Sequence, residues 1–181
     1  MTEQAFWEII NRSLEQNAPG SDGQYIAISQ SLANLPPEQL IGFENQLSRQ
    51  KAKAFSFPVL MANFILQSYI NDDIFEDFRL WLISFGEEKF TQILHNPDVL
   101  ADLSDITDPV EDITGEGLVF AALEAYEAQT GRDDFLKQTT PAEEIEMYYD
   151  WPDHLSGLEA RMPKLFARYW DSNRSYELAA E

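Results

Sequence analysis

Residues 71–90, NDDIFEDFRLWLISFGEEKF, constrain the fold of this chain more than any other stretch. Asp72 and Asp73 stand where helix N-caps belong, because a carboxylate can accept hydrogen bonds from the unpaired amides of a first turn. Ile74, Phe75, Phe78, Trp81, Leu82 and Phe85 then recur at spacings of three and four, which gathers them on one helical face. Gly86 follows at a C′ position, where the missing β-carbon makes a left-handed conformation cheap. Glu87 and Glu88 open a second short helix carrying Phe90, Ile93 and Leu94, and Asn96-Pro97 closes it. The pattern predicts two helices meeting at a glycine corner. Arg79 borders the apolar stripe. Either its stem lies over the core with its charge paired to Glu76 or another nearby carboxylate, or it binds an anion in a groove.

The same pitch runs through most of the chain. A first helix is expected over residues 2–17, with Phe6, Ile9, Ile10 and Leu14 inward and Glu3 near its positive end. Pro19-Gly20 and Asp22-Gly23 mark a loop. Tyr25, Ile28, Leu32 and Leu35 mark a second helix, ended by Pro36-Pro37, and Pro37 suits the first position of a third. That third helix carries Leu40, Phe43, Leu47, Ala54 and Phe55. Arg49, Lys51 and Lys53 cluster near its negative end. Phe57-Pro58 restarts the chain into the most apolar helix, with Leu60, Met61, Phe64, Ile65 and Tyr69 at the expected centre of the core. Pro97 to Leu103 reads as a short turn. Another helix is expected over residues 118–129 with Gly131 as its stop, and Pro163 opens a last one carrying Leu165, Phe166, Tyr169 and Trp170. The expected architecture is all-α: a single compact bundle of about seven or eight helices over residues 1–171, with an acidic loop, an aromatic-rich C-terminal strap and a frayed tail over 172–181.

A chain of 181 residues is long enough to bury a substantial core without metals or disulfides, and it has no cysteine. The start of the sequence reads as an amphipathic helix rather than a signal segment, and no apolar run approaches the roughly 20 residues of a membrane helix. A cytoplasmic protein is the expectation. The net charge of −20 is unevenly spread. Residues 1–60 carry six acids against four bases, residues 61–100 seven against two, and residues 101–181 nineteen against six. Such a field disfavours direct binding to nucleic acid or an anionic membrane. It would steer a basic protein toward the C-terminal half, or it serves solubility alone.

The main acidic loop, residues 104–117, holds Asp105, Asp108, Glu111, Asp112 and Glu116. Its spacing is not that of an EF-hand, which alternates ligands and needs Gly at the sixth position. It reads as a solvated loop. His95 falls in the last turn of a helix, where it complements the dipole, and His154 stands beside Asp153. Neither belongs to a metal-ligand pattern. Nucleophile elbows, phosphate-cradling glycine loops and dinucleotide fingerprints do not occur. No catalytic, cofactor-binding or metal residues are therefore assigned.

The run Asp72-Asp73, Phe75, Asp77-Phe78-Arg79, Trp81-Leu82-Ile83 and Gly86, with Pro97-Asp98 and Leu100-Ala101 downstream, resembles an uncharacterised bacterial family, DUF4240. Phe6-Trp7-Glu8-Ile9-Ile10 resembles that family's start, and Leu118 through Ala125-Tyr126 to Thr130-Gly131-Arg132 resembles a later helix. The resemblance covers about two thirds of the chain. Similar proteins tend to carry tryptophans before the central motif, where this chain has Phe55-Ser56-Phe57-Pro58. Membership implies a small, mostly helical bacterial protein and carries over no functional residue.

Residues 132–156 read as loop, with Pro141, Pro152 and scattered aromatics. Within them Glu143, Glu144, Glu146, Tyr148, Tyr149 and Trp151 interleave acids with the residue types of interface hot spots. This is either a strap whose aromatics plug into the bundle or a surface for a basic protein. Arg79 and Trp81 complete the set of candidate partner-binding residues. Three functions follow as expectations. The first is a non-enzymatic acidic binding module, such as an immunity-like inhibitor or adaptor for a basic protein. The second is a small-ligand binder or enzyme with a pocket near the helix carrying Arg79 and Trp81. The third is a mimic of DNA charge.

Overall fold

Helical pitch organises the chain as its apolar spacing predicts, and proline, glycine and Asx residues set the boundaries. The computed structural model describes residues 1–103, 113–175 and 177–178. Helix α1 (Glu3–Ser13) starts at Thr2, whose Oγ1 accepts from the Ala5 amide, and buries Phe6, Trp7 and Ile10. Helix α2 (Asp22–Leu32) is capped by Ser21 and turns Tyr25, Ile28 and Leu32 inward. Helix α3 (Pro37–Lys53) opens on proline, where the missing N–H is no loss, and ends with Lys51 and Lys53 against its negative pole. Helix α4 (Phe57–Gln67) is the apolar centre expected of it, with every residue from Val59 to Leu66 buried. Ser68, at φ 61°, halts it in the left-handed region.

Helices α5 (Asp72–Ile83) and α6 (Gly86–His95) form the predicted corner. The cap of α5 is Asn71, whose Oδ1 accepts from the Ile74 amide at 2.8 Å; Asp72 and Asp73 are first-turn residues instead. All three side chains are competent caps, and the extended backbone at Asn71 decides between them. Gly86 has φ +82°, and a β-carbon there would also run into the Asn11 carboxamide. It opens α6 rather than trailing α5. A 3₁₀ turn follows (Pro97–Asp102).

The helix expected over residues 118–129 is two: a single turn α7 (Glu116–Val119) and α8 (Ala121–Thr130), broken at Phe120 and stopped by Gly131 in the left-handed region. Residues 132–156 are mostly irregular as expected, but one helical turn interrupts them, α9 (Phe135–Gln138). Helix α10 (Leu155–Arg161), which the sequence pattern did not disclose, leads into α11 (Pro163–Tyr169), where Pro163 takes the first position. The short pieces α7, α9 and α10 bring the helical segments to eleven among the described residues. Two strand residues, β1 (Tyr69–Ile70), pair in parallel with β2 (Glu177–Leu178). The acidic-loop residues Asp105, Asp108, Glu111 and Asp112 lie outside the described residues.

Helix α4 packs on α5, on α11 and on the 3₁₀ turn, while α3 and α2 pack on α8 and α1 on α2 and α6. The apolar side chains of these elements merge into one cluster that includes Phe6, Phe43, Phe78, Phe90 and Tyr126. Asp98 ties the C-terminal helices to this body. Its carboxylate accepts from the amides of Lys164 at 3.0 Å and Leu165 at 2.8 Å, capping α11 from a turn more than sixty residues earlier. Among the described residues no helix is long and apolar enough to cross a membrane.

Candidate functional site

Residues 139–154 cross the outside of the bundle as an irregular strap, without helix or strand. Backbone in this state must find its hydrogen bonds outside regular structure, and α3 supplies two. Asn45 Oδ1 accepts from the Thr140 amide at 2.6 Å, and Ser48 Oγ from the Ala142 amide at 2.9 Å. Further along, Glu144 pairs with Arg79. Trp151 stands edge-on to Phe57 and Phe64, with ring centres 5.0 and 5.2 Å away. Arg161 donates to the Asp150 carbonyl at 2.7 Å and to its carboxylate at 2.8 Å. The strap is thus fastened at both ends and in the middle.

Arg79 is the middle fastening. Its guanidinium lies over both the Phe55 and Phe75 rings, 4.9 and 4.7 Å from their centres. Nε donates to the Phe75 carbonyl at 3.2 Å and Nη1 to the Lys51 carbonyl at 3.5 Å. Its acid is Glu144, not Glu76, which pairs with Lys51. The stem-over-core reading of Arg79 therefore describes its position, with the strap rather than its own helix providing the carboxylate. Trp81 is buried to 2 % exposure, stacked on Phe78 and edge-on to Phe85. It presents no face to a partner, and Arg79 is as deeply enclosed.

The fastenings turn some strap side chains toward the bundle and leave the others to solvent. Glu144, Met147 and Trp151 turn toward the bundle. Ile145 and Tyr148 are 81 % and 84 % exposed, and Tyr149 is half exposed with its ring edge toward Phe57. Glu143, Glu146 and Asp150 are exposed around them. The result is an apolar, aromatic stripe bordered by carboxylates on a clamped backbone.

Of the candidate residues, the structure unites Glu143, Glu144, Glu146, Tyr148, Tyr149 and Trp151 on one strap and joins Arg79 to it, while Trp81 belongs to the core. His95 and His154 sit on separate elements, at the end of α6 and before α10. Among the described residues no group of three or more His, Asp or Glu side chains is arranged to hold a metal ion. Sequence reasoning missed Asn45 and Ser48, because their partners lie 95 and 94 positions away. An open groove lies beside α5, the helix near which a pocket was expected, but the part of α7 in its wall was not foreseen. The run Leu118-Val119-Phe120 was the available signal, since three consecutive apolar residues on a single turn cannot all face inward.

These features define a mostly helical protein with an acidic, aromatic strap clamped across its core. The chain belongs to the DUF4240 family, described as a protein of unknown function, whose model matches residues 1–128. The match takes in α1 to α7 and most of α8 and stops short of the strap. No curated protein and no solved structure matches the chain.

Proposed function

We propose that this protein is a non-enzymatic, acidic binding module, an immunity-like inhibitor or adaptor, that engages a basic protein partner through the outer face of residues 143–151. One observation carries the reading: Ile145 and Tyr148 stand almost bare on a backbone that is itself held in place. Exposed tyrosine and isoleucine on a fixed support lose little conformational freedom on binding, which is the condition for an interface hot spot. The flanking carboxylates and the excess of acids over residues 101–181 would draw in a partner of opposite charge. In this reading the partner is met in the bacterial cytoplasm, and nucleic acid is not bound directly.

The test is affinity capture from lysate with wild-type protein and with the Ile145→Ser/Tyr148→Ser double variant, at about 0.05 M and about 0.5 M salt. Both side chains are solvated, so the variant keeps its fold. The expected result is a basic protein retained by wild type at low salt, weakened at high salt, and lost from the double variant. Loss of two hot-spot side chains corresponds to at least about 2 kcal/mol. Retention unaffected by the double substitution would refute the reading.

A further inference from the structure

The strap leaves a second surface unexplained. Helix α5 and the α7 turn enclose an open groove of about 410 Å³. Its apolar floor is built from Ile74, Leu80, Val119 and Phe120, and its rim from the carboxylates of Asp73, Glu76, Asp77 and Glu116. No lysine, arginine or histidine lines it among the described residues.

The floor is fixed rather than collapsed. The Gly115 amide donates to Asp77 Oδ1 at 2.7 Å, and the Tyr25 hydroxyl donates to the Thr114 carbonyl at 2.5 Å. Gly117 lies so close to the Tyr25 ring that any β-carbon would collide with it. These ties set the rotation of α7: Leu118 is buried completely, and Phe120 stays 46 % exposed beside a partly exposed Val119. Val119 and Phe120 thus present a pinned apolar shelf to solvent.

The rim has the opposite character. Burial raises the Asp77 carboxyl above its usual range, and the nearby charges of Glu116 and Glu76 push it further the same way, against the Gly115 hydrogen bond. The groove therefore carries negative potential that its own residues do not neutralise. Only Glu76 among the rim acids has an ion-pair partner in the described residues, Lys51.

We propose that this groove docks a basic amphipathic helix of a protein partner, with apolar side chains on the Ile74–Phe120 floor and lysine or arginine side chains at Asp73, Asp77 and Glu116. Charge complementarity selects a cation, and the apolar floor selects one that carries hydrophobic side chains. The α5 residues of the groove run from Asp73 to Leu80, about 10 Å of helix, which matches about two turns of an incoming helix with apolar residues four apart. The proposal rests on the reading of the protein as an acidic binding module and assigns a second contact region to it.

The test is an amide ¹H–¹⁵N NMR titration of the full chain with a synthetic Leu/Lys amphipathic peptide of about four helical turns. A Ser/Lys peptide of equal charge is the control. Shifts confined to residues 73–80 and 115–120 are expected, with the control giving none localised there. Phe120→Ser should weaken binding about tenfold or more. Asp73→Lys, which reverses one rim charge without touching the α7 ties, should do the same, and the spectra report directly whether each variant is folded. Ile145→Ser/Tyr148→Ser should leave this binding unchanged. Localised shifts on residues 143–151 alone would overturn the groove and leave the strap standing. Equal binding of the control peptide, or Phe120→Ser binding like wild type, would overturn the groove as an apolar dock. Shifts scattered over the acidic surface, or none at all, would overturn it as well.

Discussion

Neutralising one carboxyl inside α3 should change how the stability of this protein depends on pH. Glu44 is largely enclosed, and its Oε2 is buried with no hydrogen-bond donor. Burial pushes its pKa from the usual 4.5 up to about 7, although the Lys51 ammonium pulls it the other way. Between these values the folded chain holds a proton that the unfolded chain has released. Stability is therefore greatest at and below about pH 4.5, declines as pH rises through the window and levels off above pH 7, so far as Glu44 alone determines it. At 1.36 kcal/mol per pH unit the decline reaches up to about 3 kcal/mol. Glu44→Gln keeps the shape of the neutral acid and cannot ionise. It should match wild type near pH 4.5 and exceed it by up to about 3 kcal/mol at pH 8. In urea unfolding followed by the fluorescence of the buried Trp7 and Trp81, this appears as a midpoint shift of about 1–2 M at pH 8 and almost none at pH 4.5. Other carboxylates titrate identically in both proteins, so the difference between them isolates Glu44. A difference that stays constant from pH 4.5 to pH 8 would refute the reasoning.

Arg79→Met should release the strap, because it removes the Glu144 ion pair, two hydrogen bonds to backbone carbonyls and the contacts with Phe55 and Phe75. The partial exposure of Glu144 lets water take over its charge, so the cost should be about 1–3 kcal/mol, with faster limited proteolysis within residues 139–154. Unaltered protection of the strap would count against its role as the middle fastening. Asp98→Ala strips the cap from α11 and should cost about 2 kcal/mol, a fall of about 4–8 °C in Tm; an unchanged Tm would show that α11 is held by packing alone.

What was legible in the sequence depended on the range of the interaction. The α5–α6 corner was readable because apolar spacing, an Asx start and Gly86 all act within twenty residues. Helices α3 and α4 were readable because prolines mark their starts. The cap of α5 was misplaced by one position, since Asn71, Asp72 and Asp73 offer the same chemistry and only the backbone angles separate them. The break at Phe120 was hidden because Leu118, Ala122 and Tyr126 keep helical spacing across it. Arg79 was expected to find an acid such as Glu76 on its own helix. It finds Glu144 instead, 65 positions on, because Glu76 is engaged by Lys51 from α3. Nothing in local spacing encodes that exchange.

The same exchange explains how an acidic chain directs its charge. Among the described residues Lys51, Lys53, Arg79, Arg132, Arg161 and Lys164 each pair with a carboxylate, so six of the chain's twelve bases serve there as ties within the protein. Two of those ties, Arg79–Glu144 and Arg161–Asp150, hold the strap to the bundle. Each such pair cancels one carboxylate with one cation, so the unpaired acids of the outer strap and the α5–α7 groove keep their negative potential. They also lie on different parts of the chain: the groove falls within the residues matched by the DUF4240 family, and the strap follows them. Salt would weaken attraction to both surfaces together. Loss of an apolar side chain acts only where that side chain stands, so Tyr148 and Phe120 separate the two contributions where ionic strength does not.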